Sequence, residues 1–213
     1  MRIAIIVEGK TESAFKPHLI AYLQTRLAGT MPKSDIVPYH GRIPTGEKLK
    51  RVVANLLNDS RLSANAVIAL TDVYTGSEPP EFPTADDAKK KMREWVGVEK
   101  RFHPHVALHD FEAWLLPYWD KIKRLTGSNR NAPHSFPEQV NHGKSPAYHL
   151  AEVFRTGSKT WGYVKSRDAG RILKGEDLLV SINACPELKA FVETIIELCD
   201  PKPKSEEIVV AKS

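Results

Sequence analysis

Unbroken apolar runs alternate with helical repeats of apolar residues through the first half of the chain. Residues 3–7 and 66–71 form runs of apolar and β-branched side chains, a pattern typical of strands that are covered on both faces. Shorter runs at 35–39 and 103–108 have the same character. Between the runs, apolar residues recur at helical spacing, most clearly from Leu49 to Leu57. This alternation predicts an α/β fold with a parallel sheet of about four strands flanked by helices.

Capping residues and prolines place several helix starts. Thr11 is predicted to cap the first helix, and Thr84 to cap a charged helix after the third strand. Ser145 followed by Pro146 predicts the start of a later helix, and Pro186 the start of the last one.

The second half of the chain is less regular. Residues 110–116 are predicted as a helix directly after the fourth strand, and residues 127–143, rich in Asn, Pro, His and Ser, as a long loop. We expect residues 1–120 to form the α/β core, residues 121–200 a mostly helical extension packed on that core, and residues 201–213 a flexible tail.

Composition narrows the cellular setting more than the function. The net charge of +5 is compatible with a polyanionic partner, although solubility alone explains it as well. Cys185 and Cys199 lack metal-ligand spacing and are expected to be buried thiols, which favours a reducing compartment. The N-terminal apolar run is too short for a signal peptide, and no segment approaches membrane-spanning length. We therefore expect a cytoplasmic protein with no membrane partner, and a homo-oligomer is left open.

Three acids occupy equivalent places in successive strand–helix units. Glu8 follows the first strand, Asp72 follows the run at 66–71, and Glu112 lies just past the fourth strand. Sites in an open parallel sheet form at the carboxyl ends of the strands, so these side chains are expected to converge there. A hard divalent cation such as Mg²⁺ would relieve their mutual repulsion and would suit phosphodiester hydrolysis. Taken singly, each acid could instead be a helix-start residue favoured by the helix dipole.

The motifs around two of these acids resemble those of a known family. The run Ile5-Ile6-Val7-Glu8-Gly9-Lys10-Thr11-Glu12 resembles the first motif of Toprim domains, a hydrophobic strand that ends in Glu-Gly. Asp72 falls where those domains place the first Asp of an Asp-x-Asp motif, whereas Tyr74 stands at the position of the second Asp. The segment 102–116 is similar to small Toprim-like proteins of bacterial genomes, which are often encoded beside ATPase genes in phage-defence loci.

This resemblance implies a Toprim-like, Rossmann-like fold and Mg²⁺- or Mn²⁺-dependent hydrolysis of nucleic acid, either DNA or RNA. The protein would be a nuclease and the effector of a bacterial antiviral defence system, with an ATPase subunit encoded nearby as its partner. In Toprim enzymes the first Glu is a general acid/base or a metal ligand and the Asp motif binds metal, and these roles carry over to Glu8 and Asp72. Because a neutral phenol is a poor Mg²⁺ ligand, we expect Glu112 to supply the carboxylate that Tyr74 lacks. A single-metal site and a catalytically weak site are the alternatives.

Two other functions are compatible with the same residues. A non-catalytic Toprim-like subunit could act as a sensor or scaffold of an ATPase complex, and Tyr74 favours this alternative. Nucleotidyl transfer, as in primases, would use the same acids, although the sequence has no dedicated feature for binding nucleoside triphosphates.

Further residues are candidates for binding or accessory roles. Predicted phosphate contacts are Lys10, Lys159, Lys165 and Arg167. The last three lie in a basic segment with two aromatic residues, a mixture that suits phosphates and stacked bases, although a basic surface over core aromatics explains it equally well. Glu12 and His109 are possible accessory residues, the latter because it lies nearest the carboxyl end of the fourth strand.

Overall fold

A four-stranded, all-parallel sheet forms the centre of the molecule, as the sequence predicts. The computed structural model describes residues 1–75, 78–134, 136–141, 143–157 and 162–200, with the exception of the Lys10 side chain. The strands are β1 (Arg2–Val7), β2 (Lys33–Pro38), β3 (Ala66–Asp72) and β4 (Phe102–Ala107), in the order β2-β1-β3-β4. Because β1 and β3 are neighbours, the residues that follow them emerge side by side at one edge of the sheet.

Helices cover both faces of the sheet in the described part of the chain. They are α1 (Lys10–Arg26), α2 (Gly46–Asn58), α3 (Ala85–Val96), α4 (Trp119–Thr126), α5 (Pro146–Thr156), α6 (Lys165–Leu173), α7 (Leu178–Ala184) and α8 (Pro186–Cys199). Two 3-10 helices, Phe111–Tyr118 and Pro137–Gln139, complete the set. The predicted fold class, an α/β fold with a parallel sheet of four strands flanked by helices, is confirmed.

The two faces of β1 contribute to two different cores. Ala4 and Ile6 pack with α2 and α3, where Leu49 and Met92 are buried. Ile3, Ile5 and Val7 point to the other face, into a larger cluster that also contains buried residues of α1 and of every α-helix after β4. Burial on both faces explains why the strand reads as an unbroken apolar run.

Trp114 links the sheet to the C-terminal helices. Its side chain is 1% exposed and its ring stacks on that of Phe191 in α8, with 6.0 Å between the centroids. The indole Nε1 donates to Glu138, whose carboxylate also accepts from the backbone N–H of Glu187 at the start of α8. One carboxylate thus satisfies an aromatic N–H and a helix N-terminus together. The division into a core and an extension stays a prediction, since both parts share this apolar cluster.

Several predicted helix ends are correct. Thr84 caps α3 by accepting from the backbone N–H of Asp87, and Ser145 caps α5 in the same way from Tyr148. The last helix begins at Pro186 as predicted.

Other sequence predictions need correction. Thr11 is not a cap, because α1 begins at Lys10 and its N-cap residue is Gly9. The segment after β4 is helical but of the 3-10 type, closed by a bond from the Ala113 N–H to the Asp110 carbonyl. The structure also contains three short helices, α4, α6 and α7, that are not predicted from the sequence.

Both cysteines are free thiols, Cys185 buried and Cys199 partly exposed. Among the described residues, no helix combines the length and the apolar character needed to span a bilayer. The predicted tail at 201–213 lies outside the described residues.

Candidate functional site

A pocket of about 360 Å³ opens at the carboxyl ends of β1 and β3. Its walls come from the turn after β1, the end of β3, the 3-10 helix after β4 and the start of α6. The lining residues that carry polar chemistry are Glu8, Thr11, Glu12, Asp72, Glu112, Lys165 and Ser166. The three acids singled out from the sequence therefore share one pocket.

Glu8 is fixed by residues at the end of the neighbouring strand. Its Oε1 accepts from the Thr71 hydroxyl and from the backbone N–H of Asp72, the latter at 3.1 Å. The parallel register places β3 directly beside β1, so these donors reach across a single strand spacing. The Glu8 side chain keeps 14% of its surface exposed, which leaves it accessible from the pocket.

Arg42 is a partner of Glu8 that sequence reasoning missed. Its guanidinium lies 3.6 Å from Glu8 Oε1, donates to the Asp72 carbonyl at 2.6 Å and pairs with Glu81 at 2.9 Å. Arg42 belongs to the loop between β2 and α2, where no pattern of sequence spacing points to a strand end. The Arg42 side chain is not part of the pocket lining, although its neighbour Gly41 is, and half of its surface is exposed.

The Asp72 carboxyl lies among the other acids and has a strongly raised pKa. Burial raises its pKa well above the ordinary value, and the nearby carboxylates of Glu8, Asp110 and Glu112 raise it further. Its Oδ1 accepts from the backbone N–H of Phe111 at 3.0 Å, which attaches the end of β3 to the 3-10 helix. Like charges gathered in a buried position produce this kind of shift.

Glu112 is fully buried and held by two residues from beyond the sheet. The Tyr163 hydroxyl donates to its Oε1 at 3.3 Å, and Lys165 Nζ lies 3.2 Å from Oε1 and 3.3 Å from Oε2. Burial, followed by repulsion from Asp110, raises the pKa of Glu112 to about 7, while Lys165 acts in the opposite direction. Residues separated by more than 50 positions in the chain thus form a compact ion pair in the pocket wall.

Asp110 is an acid next to the pocket that sequence reasoning did not select. It is fully buried, and its Oδ2 accepts from the Tyr74 hydroxyl at 3.3 Å and from the Ala147 N–H at 3.1 Å. The signal that could have found it is its spacing, two residues before Glu112 at the end of a strand. The structure thus brings Tyr74 beside a carboxylate that lies far from it in sequence.

Family comparison covers the whole of this pocket. A family model described as "Domain of unknown function (DUF4276)" matches residues 7–196, a span that contains every acid of the site. The chain belongs to the DUF4276 family. No curated protein matches it.

Two solved structures are similar to this DUF4276 chain over most of its length. The C-terminal region of the Burkholderia pseudomallei OLD protein has a TM-score of 0.53 and 12% identity, and the match covers 92% of this chain and 98% of that one. The C-terminal region of the Xanthomonas campestris pv. campestris OLD protein has a TM-score of 0.48 and 14% identity, with 92% and 95% coverage. At such identities the first comparison supports the fold alone.

The remaining candidates of the DUF4276 chain are placed unevenly. Glu12 lines the pocket and is 6% exposed, and burial, then repulsion from Glu8, raises its pKa. His109 lies outside the pocket lining, where Thr75 and the Val140 carbonyl bind its ring nitrogens. Arg167 is also outside the lining, because its guanidinium is paired with buried Asp168. Lys159 and the Lys10 side chain are outside the described residues.

The pocket offers the type of ligand atoms that suits a hard divalent cation, but its described side chains are not arranged around a common point. Carboxylate oxygens are the ligands that Mg²⁺ and Mn²⁺ prefer, and next to the lining one buried carboxylate oxygen, Asp110 Oδ1, has no hydrogen-bond partner. Among the described residues, however, no three Asp, Glu, His or Cys side chains are grouped closely enough to hold a metal ion as they stand. In the present arrangement Glu8 accepts from the Thr71 hydroxyl and Glu112 pairs with Lys165.

Proposed function

We propose that this chain is a Mg²⁺- or Mn²⁺-dependent nuclease that hydrolyses phosphodiesters of nucleic acid. The observation that carries the proposal is the crowding of Glu8, Asp72 and Glu112 around one pocket at the carboxyl edge of a parallel sheet. Their mutual repulsion contributes to the raised pKa of Asp72, and a divalent cation would remove that repulsion. Sites of open α/β sheets form at this same edge.

The residues divide into roles according to their contacts. Glu8, Asp72 and Glu112 would hold the metal, and Glu8, whose side chain is partly exposed and fixed by hydrogen bonds, would alternatively serve as general base. A bound divalent ion polarises a phosphoryl oxygen and lowers the pKa of a bound water. Lys165 lines the pocket with 57% of its side chain exposed, so its ammonium is placed to contact a substrate phosphate. Phosphate contacts by Arg167, Lys10 and Lys159 remain part of the proposal, although Arg167 would have to leave Asp168.

The setting of this activity is proposed from the resemblance to Toprim-like proteins. We propose an antiphage effector in the bacterial cytoplasm that works with an ATPase subunit and takes DNA or RNA as substrate. The two unpaired thiols agree with a reducing compartment.

A cleavage assay tests the proposed activity. The full chain is incubated with supercoiled plasmid or with labelled RNA, in Mg²⁺, in Mn²⁺ or in EDTA. We expect metal-dependent cleavage that falls by at least about 100-fold in Glu8→Gln, the loss typical of a missing general base. The matched control is Glu152→Gln, because Glu152 also pairs with an arginine, Arg130 at 2.9 Å, but lies outside the pocket lining. Equal cleavage by the wild type and Glu8→Gln would refute the assignment.

A non-catalytic subunit that docks on an ATPase is the second candidate. It is favoured by the pairing of Glu8 with Arg42 and of Glu112 with Lys165, which neutralises charge without a metal. This candidate predicts no specific binding of Mg²⁺ or Mn²⁺, so metal titration separates it from the nuclease.

A further inference from the structure

Asp110 carries a buried oxygen that the protein leaves unused. The residue is fully buried, and its Oδ1 has no hydrogen-bond partner within the described part of the chain. The Ser145 hydroxyl is also close to the carboxylate, and Oδ1 alone remains without a hydrogen-bond partner. A buried charged oxygen without a partner destabilises the folded state. Each such group in a native structure calls for an explanation, and a bound ion is one of them.

The surroundings of Asp110 place it next to the pocket acids. Phe111, the next residue in the chain, donates its backbone N–H to Asp72 Oδ1 at 3.0 Å, so the two carboxylates emerge from adjoining backbone. Asp110 is also close enough to Asp72 and to Lys165 to interact with both electrostatically, and both line the pocket.

Tyr74 explains why an acid from another strand would be needed. It stands two residues after Asp72, where the resemblance to Asp-x-Asp would require a second carboxylate. Its hydroxyl reaches Asp110 Oδ2 at 3.3 Å, and the Ala147 N–H binds the same oxygen. These two donors fix the carboxylate through one oxygen and leave the other for a ligand.

Glu112 is less available than Asp110 to bind a cation. Both of its oxygens are occupied, Oε1 by the Tyr163 hydroxyl and Lys165, and Oε2 by Lys165 again. A cation would have to displace an ammonium from a fully buried carboxylate, whereas Asp110 offers a free oxygen.

We propose that Asp110 is a further metal ligand. Located just after β4, it supplies the carboxylate that Tyr74 lacks, and hydrogen bonds from Tyr74 and Ala147 hold it in place. This inference rests on the proposed metal-dependent function. It adds a ligand outside the two Toprim-like motifs and assigns Tyr74 a positioning role.

Calorimetric titration of the full chain with Mn²⁺ tests the proposal without relying on activity. We expect Asp110→Asn to weaken Mn²⁺ binding by at least about 10-fold, since even residues that only support a metal ligand commonly cost 10–100-fold. We expect the double variant Asp110→Asn with Tyr74→Asp to recover part of the affinity, because it restores a carboxylate at the Asp-x-Asp position. Glu152→Gln is the matched control, with unchanged affinity.

Thermal unfolding in EDTA distinguishes a ligand from a structural acid. A ligand role predicts that Asp110→Asn melts at or above the wild-type temperature, because the variant removes a buried charge that has one unpartnered oxygen. It also predicts that Mn²⁺ no longer stabilises the variant as it does the wild type. A lower melting temperature in EDTA together with no recovery in the double variant would make Asp110 structural and overturn the proposal.

The titration distinguishes a failure of the Asp110 assignment from a failure of the proposed nuclease function. Wild-type affinity in Asp110→Asn overturns the role of Asp110 and leaves the proposed nuclease intact. Absence of Mn²⁺ binding to the wild type overturns both.

Discussion

The two sides of the pocket hold their acids by different means. On the first side, Glu8 and Asp72 sit at the ends of adjacent strands, and Glu8 receives hydrogen bonds from the Thr71 hydroxyl and the Asp72 backbone. On the second side, Asp110 and Glu112 are fully buried, and most of their partners come from α5, α6 and the residues just before α6. The first side is a product of sheet geometry, and the second depends on how the C-terminal helices pack.

The two sides also differ in how exposed the acid of their ion pair is. The cation of the first side, Arg42, bridges a partly exposed Glu8, where solvent screens the interaction. The cation of the second side, Lys165, pairs with a carboxylate that has no exposed surface. A buried acid depends on its partner far more than an exposed one, so the two sides should respond unequally to the same change.

The largest expected effect comes from disturbing the helices that build the second side. A Cβ on Gly157, just after α5, would lie 2.9 Å from the Thr126 Cβ of α4 and closer still to its carbonyl oxygen. The backbone of Gly157 suits any residue, so the effect of Gly157→Ala is purely steric. We expect it to lower the free energy of unfolding by about 2–3 kcal/mol, measured by urea denaturation.

Gly170→Ala is the matched control for that substitution. Gly170 lies inside α6, and a Cβ there would meet nothing within 4 Å. This change should stabilise the protein by up to about 1 kcal/mol through helix propensity. If both variants have the same stability, the tight contact between α5 and α4 does not exist as described.

Removing the cation from each side in turn gives the next largest effect. We expect Lys165→Met to lower the free energy of unfolding by about 2 kcal/mol, because buried Glu112 loses its charged partner. We expect Arg42→Met to cost less than about 1 kcal/mol, since Glu8 keeps its bonds to Thr71 and Asp72. Both are measured by urea denaturation in EDTA. A larger loss in Arg42→Met than in Lys165→Met would reverse the contrast between the two sides.

The first side was largely predictable from sequence, for a physical reason. Strands that are buried on both faces, such as β1 and β3, are recognisable in the sequence as apolar runs. An acid at the end of each run therefore lies at the carboxyl edge of the sheet. Local caps were equally readable at Thr84 and Ser145, whose side chains bind nearby backbone. The cap predicted at Thr11 was wrong because Gly9 takes that position.

The second side was only partly predictable, because its contacts are tertiary. Helix α6 begins at Lys165 after Val164, which makes no side-chain cap, so nothing local marks its start. Lys165 reaches Glu112 only through the packing of α6 against the 3-10 helix. Arg42 and Asp110 were missed for the same reason, since their importance lies in partners distant along the chain.

Anomalous diffraction from crystals of the full chain grown with Mn²⁺ tests most directly whether these acids gather around a cation. The account predicts a Mn²⁺ peak within about 2.3 Å of carboxylate oxygens of Glu8 and Asp72, with the second side of the pocket contributing at least one more ligand. Well-ordered crystals with no such peak, in which Glu8 still bonds Thr71 and Arg42 and Glu112 still bonds Lys165, would contradict it.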